Sequence, residues 1–179
     1  MEDLWFIPKK LAVHGNFKHL KWLNLLMNIG IFYFIYCIAC SFFNERTACL
    51  SVIGYALLYS TWWVIIPAGT EVPFLFLALL GLWLVIRYKN IGLFLIAGVV
   101  FALANWIRPL VLIFILTAFV VMYLRKIKYV NYITLLAGFV FVLSMIGLLS
   151  KHSSGNVILQ SSTSGINLAY TANDKAYGE

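Results

Sequence analysis

The chain has 179 residues, of which 63% are hydrophobic and 11% are charged, with 13 Lys and Arg against 6 Asp and Glu. Soluble domains carry about a quarter charged residues, so this composition excludes a soluble globular enzyme, a disordered chain and a disulfide scaffold. The net charge of +7 is scattered through apolar sequence, which argues against a nucleic-acid-binding protein. Long apolar runs recur along the chain and are typical of membrane-crossing helices. The sequence therefore predicts an all-α, polytopic transmembrane helix bundle.

Charged or proline-containing breaks divide the chain into six predicted spans. Residues 1–21 are mixed and basic, and we interpret them as the end of an external loop or an interfacial segment. The predicted six-span module occupies 22–149, with spans at 22–43, 48–66, 72–86, 91–107, 109–124 and 129–149. Residues 150–179 are polar and are predicted to form an external loop or tail.

Only Arg108 separates the fourth predicted span from the fifth. One helix over 91–124 would be about 51 Å long, whereas the hydrocarbon core of a bilayer is about 30 Å thick. Proline suits the first turn of a new helix, so we expect the chain to fold back at Arg108-Pro109.

Basic residues are distributed unevenly between the predicted loops. The loops at 44–47, 87–90 and 125–128 carry six of them: Arg46, Arg87, Lys89, Arg125, Lys126 and Lys128. The turns on the other side carry Arg108 alone. The positive-inside rule places the first set in the cytoplasm, and the protein is expected in the cell membrane as a multi-pass protein. Both termini then lie outside, an unusual place for the lysines of residues 1–21, which predicts that an upstream span precedes this chain.

Cysteine chemistry is not indicated. Cys37 and Cys40 form a C-x-x-C pair inside an apolar run, and Cys49 follows nearby. Free cysteine behaves as a small hydrophobic residue, and no second pair or neighbouring histidine completes a metal site. We therefore predict no metal site.

Four short motifs follow one another along the chain. They are His14-Gly15-Asn16 with 21–26, Ile66-Pro67 with Glu71, Pro73 and Phe74, 98–104 with Arg108-Pro109, and 164–168 with Asn173-Asp174 and Gly178. Their order and spacing resemble the C-type glycosyltransferases, the multi-span enzymes that use polyprenyl-phosphate sugars. The dolichyl-phosphate-mannose-protein mannosyltransferases and the aminoarabinose transferases belong to this group. The resemblance covers residues 14–179.

The resemblance implies transfer of a sugar from a polyprenyl-phosphate donor to an extracytoplasmic acceptor, whose identity it leaves open. The donor and membrane lipid are the implied partners. No cofactor is implied, and a divalent metal in the complete enzyme is left open. The family's catalytic acid lies early in the first external loop, and Glu2 and Asp3 do not align with it. We therefore expect a partial transmembrane core, without transferase activity by itself.

Three residues are the candidate substrate-binding set. Arg108 is expected to bind the lipid phosphate through its bidentate guanidinium, with Asn105 one turn away. Glu71 could bind a sugar hydroxyl, assist a metal, pair with Arg108, or simply complement the dipole of the third helix. Arg108 could equally be a boundary residue that sets the position of its helix. The alternative function is a small non-catalytic membrane protein, such as a transporter-like or scaffold subunit.

Overall fold

The computed structural model describes residues 17–58 and 70–154, with side chains from residue 22 to 58 and from 70 to 152. Every regular element in these two stretches is a helix, so the all-α prediction is confirmed for them. The helices are α1 (Phe17–Phe42), α2 (Glu45–Leu57), α3 (Glu71–Arg87), α4 (Ile91–Ile107), α5 (Leu112–Leu124) and α6 (Tyr129–Ser154).

Asparagines in the predicted polar breaks begin two of the helices. The Asn44 side chain accepts hydrogen bonds from the backbone N–H of Thr47 at 2.9 Å and from its hydroxyl at 2.8 Å. The Asn90 side chain accepts from the N–H of Gly92 at 3.0 Å. Asparagine is favoured at this position because its oxygen satisfies an N–H that has no partner within the helix. The breaks at 44–47 and 87–90 are therefore helix starts.

The helices differ in length more than the six predicted spans do. By length and composition, two helices can cross a membrane, over Trp22–Phe42 in α1 and Tyr129–His152 in α6. The helices α2 and α5 have 13 residues each and extend about 20 Å, less than the hydrocarbon thickness of about 30 Å. The structure thus supports two membrane-spanning helices, and the finer six-span arrangement stays a prediction.

Several helix ends in the structure differ from the predicted span boundaries. The second predicted span, 48–66, is helical only to Leu57, because Leu58 is extended and its N–H returns to the Tyr55 carbonyl. The sequence predicts that this span ends in an interfacial belt of Trp62 and Trp63, but residues 59–69 lie outside the described residues. The first helix begins at Phe17, inside the segment 1–21, and the last continues to Ser154, past the predicted end at 149. Residues 155–179 of the predicted tail are also outside the described part.

The predicted fold-back at Arg108 is confirmed. Arg108 is extended, with φ −146° and ψ 133°, and its N–H caps α4 by donating to the Ala104 carbonyl at 3.0 Å. Residues 109–111 form a turn, so α5 begins at Leu112 rather than at Pro109. Val111 is the N-cap residue of α5, and its carbonyl accepts from the N–H groups of Phe114 at 2.9 Å and Ile115 at 3.0 Å.

Aromatic contacts fix the directions of the first helices. Phe76 lies against Gly30, and one turn further along α1 the Phe34 ring lies 5.5 Å from Phe76 and also 5.6 Å from Trp83. Positions therefore increase together along the two helices, so α1 and α3 are parallel. The loop at 87–90 returns the chain, and α4 packs antiparallel to α3. The helices α2 and α5 pack against α1 and α3 respectively.

Glycines allow the backbones of α4 and α6 to lie in direct contact. A Cβ on Gly98 would overlap the carbonyl oxygen of Leu135 and lie 2.9 Å from the Phe139 nitrogen, and one on Gly138 would overlap the carbonyl of Leu95. Small residues permit this type of packing between apolar helices, where close van der Waals contact replaces the hydrophobic effect. The pair forms one wall of the core, which includes Phe94, Phe101 and Leu135.

Candidate functional site

The helix directions give the bundle two ends with different charges. The pair end is defined by Thr70 and Glu71, where α3 begins, and Arg108, where α4 ends. The basic end is defined by the six cations Arg46, Arg87, Lys89, Arg125, Lys126 and Lys128. At the basic end Arg125 donates to the Ile86 carbonyl, and its guanidinium lies 5.5 Å from the centre of the Phe42 ring. Arg125 thereby joins the ends of α1, α3 and α5.

Arg108 forms an ion pair with Glu71 at the pair end. Its Nη2 donates to Glu71 Oε1, and its Nε donates to Thr70 Oγ1 at 3.2 Å. The two charged side chains come from helices that are adjacent in the fold but 37 residues apart in sequence. The predicted proximity of Arg108 and Glu71 is therefore confirmed, while their role in substrate binding stays a prediction.

Two of the four roles considered for Glu71, pairing with Arg108 and complementing the helix dipole, agree with its position in the structure. Glu71 occupies the first turn of α3, where a carboxylate interacts favourably with the helix dipole, and it also holds Arg108. Thr70, the N-cap residue, makes no side-chain cap on its own helix, and its hydroxyl accepts from Arg108. The sequence does not mark Thr70 as a partner, because the direction in which its hydroxyl turns depends on the position of Arg108, 38 residues away.

The Arg108 guanidinium keeps donors available for a further anion. Arginine has five N–H donors in a planar fork, and Thr70 and Glu71 use the Nε and Nη2 positions. Within the described residues, Nη1 has no hydrogen-bond partner. The side chain of Arg108 is 37% exposed and that of Glu71 is 43% exposed, so a ligand can reach the pair. An anion on the Nη1 side would meet a guanidinium already held in orientation.

Asn105 lies one turn before Arg108 but is not hydrogen-bonded to the pair. It is buried within the bundle, whereas its neighbour Trp106 is exposed. Two further buried amides, Asn24 and Asn28, lie in the N-terminal half of α1, which the parallel packing brings to the depth of the first turns of α3. In the described parts of the chain, these three amides are the buried polar side chains. All three lie in the half of the bundle nearer the pair end.

Asn24 and Asn28 are four residues apart and share one face of α1, a spacing in apolar sequence that predicts hydrogen bonds to a neighbouring helix, and Asn28 makes one. Its Oδ1 accepts from the hydroxyl of Tyr55 on α2 at 3.3 Å, while its Nδ2 is buried and has no hydrogen-bond partner among the described residues. A buried unpaired amide is costly. Tyr55 therefore joins α2 to α1 in two ways, through its hydroxyl to Asn28 and through its ring, which meets Phe32 edge to face.

The described residues bring no group of three or more His, Cys, Asp or Glu side chains together, so we derive no step through a metal. Cys37 and Cys40 are half-buried free thiols and Cys49 is an exposed one. The oriented guanidinium of Arg108, its two partners and the nearby buried amides are therefore the features of the pair end from which function can be argued. No protein-family model, curated protein sequence or solved structure matches the chain.

Proposed function

We propose that this chain is part of the transmembrane core of a membrane glycosyltransferase, multi-pass in the cell membrane, that binds a polyprenyl-phosphate sugar at the pair end. The observation that carries the proposal is the orientation of Arg108 by Thr70 and Glu71, with the Nη1 side of the guanidinium left for an anion. The motif order described above, with its resemblance to the C-type glycosyltransferases, supplies the chemical class of that anion.

A lipid-linked phosphate suits the surroundings of this guanidinium. Many large apolar side chains on the helix surfaces are exposed, such as Leu110, Leu112 and Ile113 beside the turn after Arg108. Soluble proteins rarely expose continuous apolar surface of this kind, and hydrocarbon chains would cover it favourably. A polyprenyl phosphate would place its chain on this surface and its phosphate at the level of Arg108.

In the proposed reaction Arg108 stabilises the leaving group. As the bond between the sugar and the phosphate breaks, negative charge grows on the phosphate oxygens. A guanidinium fixed beforehand stabilises that charge without reorganising. Glu71 and Thr70 act as positioning residues for Arg108, and Asn105 is proposed to act in the same half of the bundle, one turn deeper.

The acceptor's proton needs a base that these residues do not supply. The described acidic side chains are Glu45, at the basic end, and Glu71, which is paired with Arg108. A general base must lie within hydrogen-bond reach of the proton it accepts. We therefore expect the chain alone to bind the donor weakly and not to transfer the sugar. Transfer that is lost in Glu71→Gln would contradict this and identify Glu71 as the base.

The alternative is a non-catalytic membrane protein, transporter-like or a scaffold subunit, and the charge balance of the pair favours it. Glu71 neutralises Arg108 at close contact, so the pair could serve only to fasten the start of α3 to the end of α4. Under this alternative, the protein needs the opposite charges of Arg108 and Glu71 to hold the two helices together, and it needs no ligand at this site.

Binding of a polyprenyl phosphate to the purified chain in detergent distinguishes the two functions, with the uncharged polyprenol of equal length as the reference ligand. We expect the phosphate to bind and Arg108→Gln to weaken it about ten- to a hundredfold, the range for losing charge-assisted hydrogen bonds. The control is Lys151→Gln, which removes an exposed cation from the last turn of α6. Equal binding of phosphate and polyprenol, or unchanged affinity in Arg108→Gln, would favour the non-catalytic alternative.

A further inference from the structure

The cations of the basic end are exposed and mostly unpaired. Among the described residues, Glu45 is the one acidic side chain near them, and no salt bridge joins it to a cation. Arg125 is engaged by the Ile86 carbonyl and the Phe42 ring. The other five cations are exposed: Arg46, Arg87, Lys89, Lys126 and Lys128. Because Arg125 joins the ends of three helices, these cations are gathered around one rim.

Lys126 occupies a backbone conformation that normally selects glycine. Its φ is 52°, and the Ile127 N–H donates to the Met122 carbonyl at 3.0 Å, the hydrogen bond that closes a helix of the Schellman type. A side chain in this left-handed region is strained, and glycine adopts it freely. A lysine therefore stands here at a conformational cost, and it contributes a charge that glycine would not.

Exposed aromatic and aliphatic side chains alternate with these cations. They include Phe43, Tyr88, Ile91, Leu124 and Tyr129. Tyrosine is enriched at the membrane–water interface, and lysine and arginine reach from there to the headgroups. A soluble polyanion would neutralise the charges but leave this apolar rim in water. A lipid with an anionic headgroup matches both parts of the rim.

We propose that the basic end is a binding surface for anionic phospholipid headgroups, centred on the turn at Lys126–Lys128 and the adjacent loop at Arg87–Lys89. The phosphate of such a lipid binds the exposed cations, and its acyl chains lie against the apolar side chains beneath them. Each cation near an anionic surface strengthens binding about fivefold. This surface lies at the opposite end from Arg108, so it does not depend on the proposed glycosyltransferase function.

The test is native mass spectrometry of the full chain in detergent, titrated with phosphatidylglycerol or with phosphatidylcholine. We expect preferential retention of phosphatidylglycerol, about fivefold weaker in Lys126→Gly and weaker still when Arg87, Lys89, Lys126 and Lys128 are all replaced by Gln. Lys126→Gly should melt at a higher temperature than the wild type in detergent alone, because glycine relieves the strained φ. Its lower lipid affinity therefore cannot be attributed to poor folding.

The matched control is Lys151→Gln, an exposed cation on α6 at the other end of the bundle, which should retain phosphatidylglycerol like the wild type. Equal retention of the two lipids would overturn the proposal. So would unchanged phosphatidylglycerol binding in Lys126→Gly, or tighter binding of heparin than of phosphatidylglycerol at physiological salt. The last outcome would identify a surface for soluble polyanions.

Discussion

The two ends of the bundle use arginine in different ways. At the pair end, Arg108 is held by a carboxylate and a hydroxyl, and the local charge is close to neutral. At the basic end, Arg125 is held by a backbone carbonyl and an aromatic ring, and the charges around it are uncompensated. The first arrangement fixes the direction of a few donors. The second produces a broad positive field.

This difference indicates different ligands for the two ends. Oriented donors select an anion by the geometry of its oxygens, whereas a field of exposed cations attracts any anionic surface and is screened by salt. We therefore expect phosphate binding at the pair end to survive moderate salt better than lipid binding at the basic end. The three buried amides also lie nearer the pair end. Polar groups inside apolar bundles often mark functional positions, so they are a second difference between the two ends.

The largest expected effect on stability comes from forcing α4 and α6 apart. Arg108 lies at the end of α4. Gly98→Ala places a methyl group against the backbone of Leu135 and Phe139, and we expect a loss of about 3 kcal/mol in the free energy of unfolding. Chemical unfolding in detergent measures it. Gly54→Ala is the control, because a Cβ there has nothing within 4 Å; it should be neutral or stabilising. Equal stability of the two variants would refute the close approach.

Removing the clamp at the basic end should have the next largest effect. Arg125→Gln loses a charged hydrogen bond to the Ile86 carbonyl and the contact with the Phe42 ring, at a cost of about 1.5 kcal/mol. Lys128→Gln, an exposed neighbour, should change the stability little. The melting temperatures of both variants in one detergent give the comparison, and equal losses would mean that Arg125 is only one surface charge among several.

Loss of a helix cap should cost somewhat less. Asn44→Ala removes the two hydrogen bonds from Thr47 that begin α2, and the expected loss is about 1 kcal/mol. Asn44→Asp keeps an acceptor oxygen and should retain most of the stability. Hydrogen exchange at the first turn of α2 reports the effect locally, and unchanged exchange in Asn44→Ala would contradict the capping role.

The smallest expected effect is the coupling energy of the ion pair. Both side chains are more than a third exposed, so solvent screens the pair, and a double-mutant cycle with Glu71→Gln and Arg108→Gln should give about 0.5 kcal/mol. If the coupling exceeds about 2 kcal/mol, fastening the helices becomes the main role of the pair and the non-catalytic alternative gains support. Our proposal requires a small coupling energy between Glu71 and Arg108 together with a large loss of polyprenyl-phosphate affinity in Arg108→Gln.

The sequence predicted where the chain breaks better than it predicted helix length. The breaks at 44–47, 87–90 and Arg108 were identified because charged and polar residues interrupt apolar sequence there. The end of α2 after Leu57 was missed because the sequence around it stays apolar, so hydrophobicity does not mark the point where the backbone becomes extended. Likewise, Lys126 in a left-handed turn carries no composition signal, since glycine is the expected residue.

The candidate site was predicted in part, and the missing parts depend on tertiary contacts. Two charges on neighbouring turns suggested that Glu71 and Arg108 could meet, and they do. The role of Thr70 depends on which way its hydroxyl turns, which follows from the position of Arg108 and not from local sequence. The partner of Asn28 is Tyr55 on the next helix. The sequence indicated that Asn28 bonds between helices but could not name the residue.

The central claim is that a lipid-linked phosphate binds at the pair end, and its location can be measured directly. A nitroxide is attached at Leu110→Cys, in the turn after Arg108, or at Phe43→Cys, at the basic end, in a chain whose Cys37, Cys40 and Cys49 are replaced by Ala. Both labelled positions are exposed. The phosphorus NMR signal of an added polyprenyl-phosphate sugar is then recorded for each chain at a salt concentration that screens the exposed cations of the basic end. The account predicts strong broadening from the label at 110 and little from the label at 43. Equal broadening, or stronger broadening from position 43, would contradict it.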